Sequence, residues 1–136
     1  MATIVYYSQT DKTNRFVHKL DEGYNLIQID ELSSFTEINE PFIVIIPAYA
    51  TEEVNDLYGV EALFEDLLET GNNLSYCKGV VGSGNLNFAH LYSITGKNIA
   101  KKYDLPILHE FEMMGSHLDV AKVNNIMKNI GEDVVD

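Results

Sequence analysis

Cysteine is nearly absent from this sequence. Cys77 is the only one, so no disulfide can close within the chain and a reducing compartment is its natural setting. Long apolar runs are missing as well. None approaches the roughly 20 residues that a membrane helix needs. The opening Met1-Ala2-Thr3-Ile4-Val5-Tyr6-Tyr7 has neither the basic start nor the apolar length of a secretory signal. The expectation is a cytoplasmic protein with no membrane partner. Basic residues are scarce: 9 Lys and Arg stand against 21 Asp and Glu, for a net charge of −12. Between Lys19 and Lys78 there is no Lys or Arg, while 13 acids fall in that interval, from Asp21 to Glu69. Such a field repels phosphate backbones and argues against nucleic acid as a partner. It is either a solvated surface or a docking face for a partner of complementary charge. Repeats, low-complexity runs and linkers are lacking too, and 136 residues fit one domain, expected to span 1–136.

What is present is an alternation of short β-branched runs with segments of helical period. Thr3 to Tyr7 reads as a strand. Phe16, Val17 and Leu20 share one face of a helix over 13–20. Asn25 to Ile29 reads as a second strand, and a loop around 33–40 follows, with at most a poor helix. Phe42-Ile43-Val44-Ile45-Ile46, closed by Pro47, is a continuous apolar run of the kind found where a strand is covered on both faces. Leu57, Val60, Leu63, Phe64, Leu67 and Leu68 then recur at helical spacing until Gly71-Asn72-Asn73 stops them. A fourth strand over 78–82 runs into Ser83-Gly84-Asn85. A helix from about Phe88 to Tyr103 ends before Pro106, and a fifth strand is centred on Ile107 and Leu108. Ser116-x-x-Asp119 is a capping-box start for a last helix with Val120, Val123, Met127 and Ile130 on one stripe. This order predicts an α/β fold, a five-stranded, doubly wound parallel sheet in the flavodoxin-like order 2-1-3-4-5 with helices on both faces.

Ligands of such sheets bind beyond the carboxyl ends of the strands, which selects the loops 8–14, 47–56, 82–88 and 111–116. Ser8-Gln9-Thr10-Asp11-Lys12-Thr13-Asn14 opens directly into a helix, and its hydroxyls and amides are neutral donors suited to a phosphate. Thr10 or Asp11 would equally serve as a helix cap with no ligand. Tyr49 on the second loop and Asn85, Asn87 and Phe88 on the third can sandwich a flat ring and bond its polar edge. Taken singly, each aromatic is as well explained by packing. Together the loops describe a phosphate at one end and a planar ring at the other, which is FMN.

Competing motifs fail. Gly82-x-Gly84-x-x-Asn87 lacks the third glycine of a dinucleotide fingerprint. Pro47-Ala48 stand where a receiver domain would need an aspartate. Cys77 precedes its strand and no anion-cradling arginine follows it. His109, Glu110, Glu112, His117 and Asp119 match no recognised ligand spacing, so no metal site is expected.

The run Gly79-Val80-Val81-Gly82-Ser83-Gly84-Asn85-Leu86-Asn87-Phe88, then Pro106-Ile107 and Phe111-Glu112-Met113-Met114-Gly115, resembles the NrdI family. These are flavodoxin-like FMN proteins that serve class Ib ribonucleotide reductases. The resemblance includes Val5-Tyr6-Tyr7-Ser8 and Pro41-Phe42-Ile43. It implies a phosphate loop of Ser8, Gln9, Thr10, Thr13 and Asn14, and a flavin-edge loop of Ser83, Gly84, Asn85, Asn87 and Phe88. Tyr49 and Ala50 would follow the third strand at the ring, and Met114 and Gly115 would close its far side. It also implies an accessory flavoprotein rather than a stand-alone enzyme. Its partners would be an NrdF-like small subunit, which owns the dimanganese site and tyrosyl radical, and a flavodoxin reductase or similar electron donor. A general single-electron carrier and a non-redox regulatory domain of the same fold are the alternatives. Two positions depart from the family. Ala50-Thr51-Glu52-Glu53-Val54-Asn55-Asp56 replaces a glycine-rich loop, and Leu86 replaces a frequent basic residue. Both make the flavin surroundings more negative, which opposes the charge that reduction places on a bound ring.

Overall fold

The computed structural model describes residues 2–7, 12–20, 23–30, 35–48, 55–84, 93–112 and 115–135. Its architecture follows from the apolar run at 42–46. Phe42, Val44 and Ile46 enter one hydrophobic cluster, Ile43 and Ile45 the other, and all five are fully buried. A strand with both faces covered must lie inside a sheet with helices on either side. That strand is β3, Phe42–Ala48, at the centre of a five-stranded parallel sheet. With β1 at Thr3–Tyr6, β2 at Asn25–Gln28, β4 at Cys77–Gly84 and β5 at Ile107–Glu112, the order is β2-β1-β3-β4-β5, as expected.

Helices α1 (Lys12–Val17) and α5 (His117–Val135) cover the face that carries Ile4, Tyr6, Ile43, Ile45, Val81 and Phe111. Six residues are too few for a helix to stand alone, so α1 depends on burying Phe16 and Val17 in that cluster. The stripe foreseen on α5 is its inner face, with Val123, Met127 and Ile130 buried. Helices α2 (Asn55–Glu69) and α4 (Ile94–Tyr103) cover the opposite face, where Val60, Phe64, Leu67 and Leu68 meet Val80, Ile99 and Ala100. No described helix is long and apolar enough to cross a membrane.

The structure corrects four details. Pro47 does not close β3, which runs on to Ala48, with Pro47 opposite Ser83. Among the described residues β1 pairs with β3 as far as Tyr6 opposite Ile45 and Pro47 has a ladder partner on the β4 side alone, an edge-like setting that proline tolerates. Ser83 and Gly84 belong to β4 rather than to the loop beyond it, because β3 and β5 both extend alongside them. Cys77 begins β4 instead of preceding it, and burial pushes its thiol up to about 11, against a backbone contact to Gly79 that lowers it. It is a core residue. Finally, a short helix α3 (Asn73–Tyr76) follows the α2 stop; 35–40 carries no helix, in keeping with the loop expected there. That segment is held by Asn73, whose Nδ2 donates to Thr36 O at 3.0 Å and Leu67 O at 2.9 Å while its Oδ1 accepts from Ile38 N at 2.8 Å.

Candidate functional site

β1, β3, β4 and β5 run parallel, so their carboxyl ends, at Tyr6, Ala48, Gly84 and Glu112, lie along one end of the sheet. Of the residues expected to bind there, Ser8, Gln9, Thr10, Tyr49, Ala50, Asn85, Asn87, Phe88 and Met114 lie outside the described residues. Thr13, Asn14, Ser83, Gly84 and Gly115 are described.

Thr13 stands in the first turn of α1, 1% exposed, with no hydrogen-bond partner for Oγ1 among the described residues. Asn14 follows it and accepts at Oδ1 from the Tyr6 hydroxyl at 3.0 Å. Ser83, near the end of β4, is fully buried and its Oγ has no partner among the described residues. It shares the α1 and α5 face with Val81, opposite Phe111 on β5. Gly84 ends the strand opposite Ala48 and Glu112.

Gly115 adopts φ +72°, and a Cβ there would meet Phe16 Cδ1 at 2.5 Å, so the turn after β5 can close only on glycine. Gly115 N donates to Glu112 O at 2.9 Å. Beneath it, Phe16 of α1 stacks on Phe111 of β5 with ring centroids 4.0 Å apart and planes 15° from parallel. The turn expected at the ring's far side and the helix expected at its phosphate therefore rest on one aromatic pair.

Two further groups, the Ser93 and Thr95 hydroxyls, were not singled out from the sequence, and Glu110 was weighed there only as part of a metal cluster. Ser93, before α4, has φ +57° and makes no side-chain cap bond. Its hydroxyl occupies the room that a side chain at Gly82 would take. Ser93 Oγ and Thr95 Oγ1 are buried and have no partner among the described residues. Glu110 Oε2 is enclosed without a hydrogen bond, with Lys97 Nζ 3.7 Å away. The helix expected from about Phe88 placed both hydroxyls in its interior, so nothing in the sequence signalled them. A buried hydroxyl without a partner costs about 1–3 kcal/mol, so orphans are few in native proteins and each needs a reason. Among the described residues, Thr13, Ser83, Ser93 and Thr95 all fall on strand ends or first helical turns at the carboxyl end of the sheet.

On the α5 side, His109 Nε2 lies 2.7 Å from Asp119 Oδ1. Asp119 Oδ2 accepts from Ser116 N at 2.8 Å, and Asp119 N donates to Ser116 Oγ at 3.3 Å, completing the expected capping box. Burial pushes the Asp119 carboxyl up, but the Ser116 and His109 bonds outweigh it and hold the group below its ordinary 3.8.

The family model described as NrdI Flavodoxin like matches residues 4–125. The chain is similar to Protein NrdI of Streptococcus pyogenes serotype M2, at 34% identity over 128 residues, 93% of this chain and 78% of the relative. It is also similar to Protein NrdI of Mesoplasma florum, at 32% identity over 126 residues, 92% and 83% of the two chains. Oxidised flavodoxin 1 from Bacillus cereus superposes with a TM-score of 0.57 at 10% identity, covering 96% of this chain and 97% of that one. At that identity the likeness concerns the fold alone. Matched along most of its length by both the family model and these relatives, the chain belongs to the NrdI flavodoxin-like family.

Proposed function

We propose that this chain, as one domain, binds FMN across the carboxyl ends of β1, β3, β4 and β5 and serves a class Ib ribonucleotide reductase. It would take electrons from a flavodoxin reductase or similar donor and deliver a reduced-oxygen oxidant to the dimanganese site of an NrdF-like subunit. The observation that carries this reading is the gathering of enclosed, unpartnered hydroxyls at that end of the sheet in a chain of this family. They are donors for a phosphate and for the polar edge of a ring, on a protein too acidic to hold an anion by net charge.

The residues divide the work. Thr13 and Asn14, with Ser8, Gln9 and Thr10, would hold the phosphate. Ser83 and Gly84, with Asn85, Asn87 and Phe88, would meet the ring's polar edge. Tyr49 and Ala50 would line one side of the ring, and Met114 and Gly115 the other. FMN, when bound, supplies the one- and two-electron redox chemistry; the chain supplies binding, orientation and charge.

An absorbance spectrum of purified protein with added FMN, followed through anaerobic reduction and return to air, tests the reading. Bound flavin that reduces in two steps and reoxidises in air is expected. Radical formation in a manganese-loaded NrdF-like subunit should then depend on this protein and on oxygen. Absence of FMN binding at micromolar concentration would remove the redox role.

A further inference from the structure

The turn from β5 into α5 is fixed at both of its ends. At the β5 end, Gly115 N donates to Glu112 O at 2.9 Å. At the α5 end, Asp119 Oδ2 accepts from Ser116 N at 2.8 Å and from the Ser116 hydroxyl at 3.1 Å. A helix cap needs no more than that. Yet the second oxygen, Asp119 Oδ1, faces His109 Nε2 at 2.7 Å, and His109 lies on β5, ten residues back. Burial alone would raise the Asp119 pKa, but the Ser116 and His109 bonds outweigh it, so the group is ionised at neutral pH. A carboxylate only accepts, so the imidazole nitrogen that faces it carries the proton. One carboxylate thus joins the turn to the strand that it leaves. The turn itself has a single backbone path, because Gly115 sits at φ +72° and a Cβ there would meet Phe16. His109 and Phe111 alternate onto the same face of β5; the first holds α5 and the second stacks on Phe16 of α1.

We propose that His109 is a positioning residue for the flavin ring: through Asp119 it fixes the turn that carries Met114 and Gly115, the wall assigned above to the ring's far side. The proposal rests on the FMN reading and adds a residue that acts through Asp119 rather than on the flavin. A wall whose backbone is settled before the ring arrives lowers the ordering cost of binding. The benefit belongs to the ring, which FMN and riboflavin share, and not to the phosphate, which riboflavin lacks.

The test is a pair of dissociation constants, for FMN and for riboflavin, from quenching of flavin fluorescence. They are measured on the unaltered chain, His109→Leu and His109→Gln, with circular dichroism confirming that each is folded. His109→Leu removes the donor, and His109→Gln returns an N–H of similar reach. His109→Leu should weaken both flavins alike, about tenfold, the scale of one hydrogen bond. The ratio of the two constants, which reports the phosphate site, should stay within about twofold. His109→Gln should recover most of the loss. Unchanged riboflavin binding in His109→Leu would overturn the proposal. So would a fallen ratio, which would make His109 merely structural, and so would a loss that glutamine does not restore. Asp119→Ala supplies a second test if His109→Leu does not fold. It removes the other half of the same device, so riboflavin should weaken at least as much at an unchanged ratio; undiminished riboflavin binding would overturn the proposal. An unaltered chain that binds neither flavin would overturn the FMN reading and the proposal with it, a result distinct from the others.

Discussion

Asn73 is fully buried and divides one amide among three backbone groups, Thr36 O, Leu67 O and Ile38 N. It does the work of a helix over 35–40, where none forms, since it holds that segment against the cluster on which Phe35 and Ile38 pack. Asn73→Ala leaves those groups without their partner and should destabilise the chain by about 3 kcal/mol. Urea unfolding should show a lower midpoint at unchanged slope; a loss under 1 kcal/mol would mean that water replaces the amide. Nothing in the sequence marks this role. Gly71-Asn72-Asn73 reads as a helix stop, which it is, but two of the partners are 35 and 37 residues away. The same limit hid Ser93, which falls inside the helix expected from about Phe88. Residue types with a local meaning were legible, and those whose meaning comes from a distant partner were not.

Elements were legible where their pattern is intrinsic. The strand order, the α5 stripe and the Ser116–Asp119 box follow from period and spacing. The ends of β3 and β4 did not, because strand length is set by the neighbour that continues the ladder. The junction of β5 and α5 combines both kinds of information. The box was readable, while the His109 contact that ties α5 back to β5 was not. Because the folded-state pKa of Asp119 is depressed, the stability it contributes is fully present above the unfolded value, about 3.9, and is lost as pH falls through the folded one. Asp119→Asn should therefore cost about 1–2 kcal/mol at pH 7, on the scale of a lost cap and a charged hydrogen bond. The gap to the unaltered chain should persist down to about pH 4 and close below it. Unfolding curves between pH 7 and 3 read this directly, and a gap that does not change with pH would assign the loss to packing instead.

The charge of the whole molecule acts on whatever it binds. Part of the acidic stretch is spoken for within the fold, because α2 faces α4 through it. Asn98 Nδ2 donates to Glu61 at 3.3 Å, Lys102 lies 3.1 Å from Glu65, and the Tyr103 hydroxyl donates to Glu69 at 2.9 Å. Burial and the nearby Glu69 push the Tyr103 phenol above its ordinary range. Lys102 is half exposed, so its pair adds little stability, and the pairing leaves the net −12 unchanged. The field of the molecule is negative, and Glu52 and Glu53, which lie outside the described residues, follow β3 in the sequence and add to it. Adding an electron to FMN bound there becomes harder once the ring already carries negative charge, so the second one-electron potential should lie below the first. Glu52→Gln and Glu53→Gln should raise the second more than the first, by about 0.4 kcal/mol per charge if each lies about 10 Å from the ring in water. Salt should narrow the separation, because charges that far apart are screened at about 0.1 M. Anaerobic potentiometric titrations of the unaltered chain and the two variants, at low and high salt, measure all of this. A second potential equal to or above the first would show that local groups at the ring, rather than the charge of the molecule, set the chemistry.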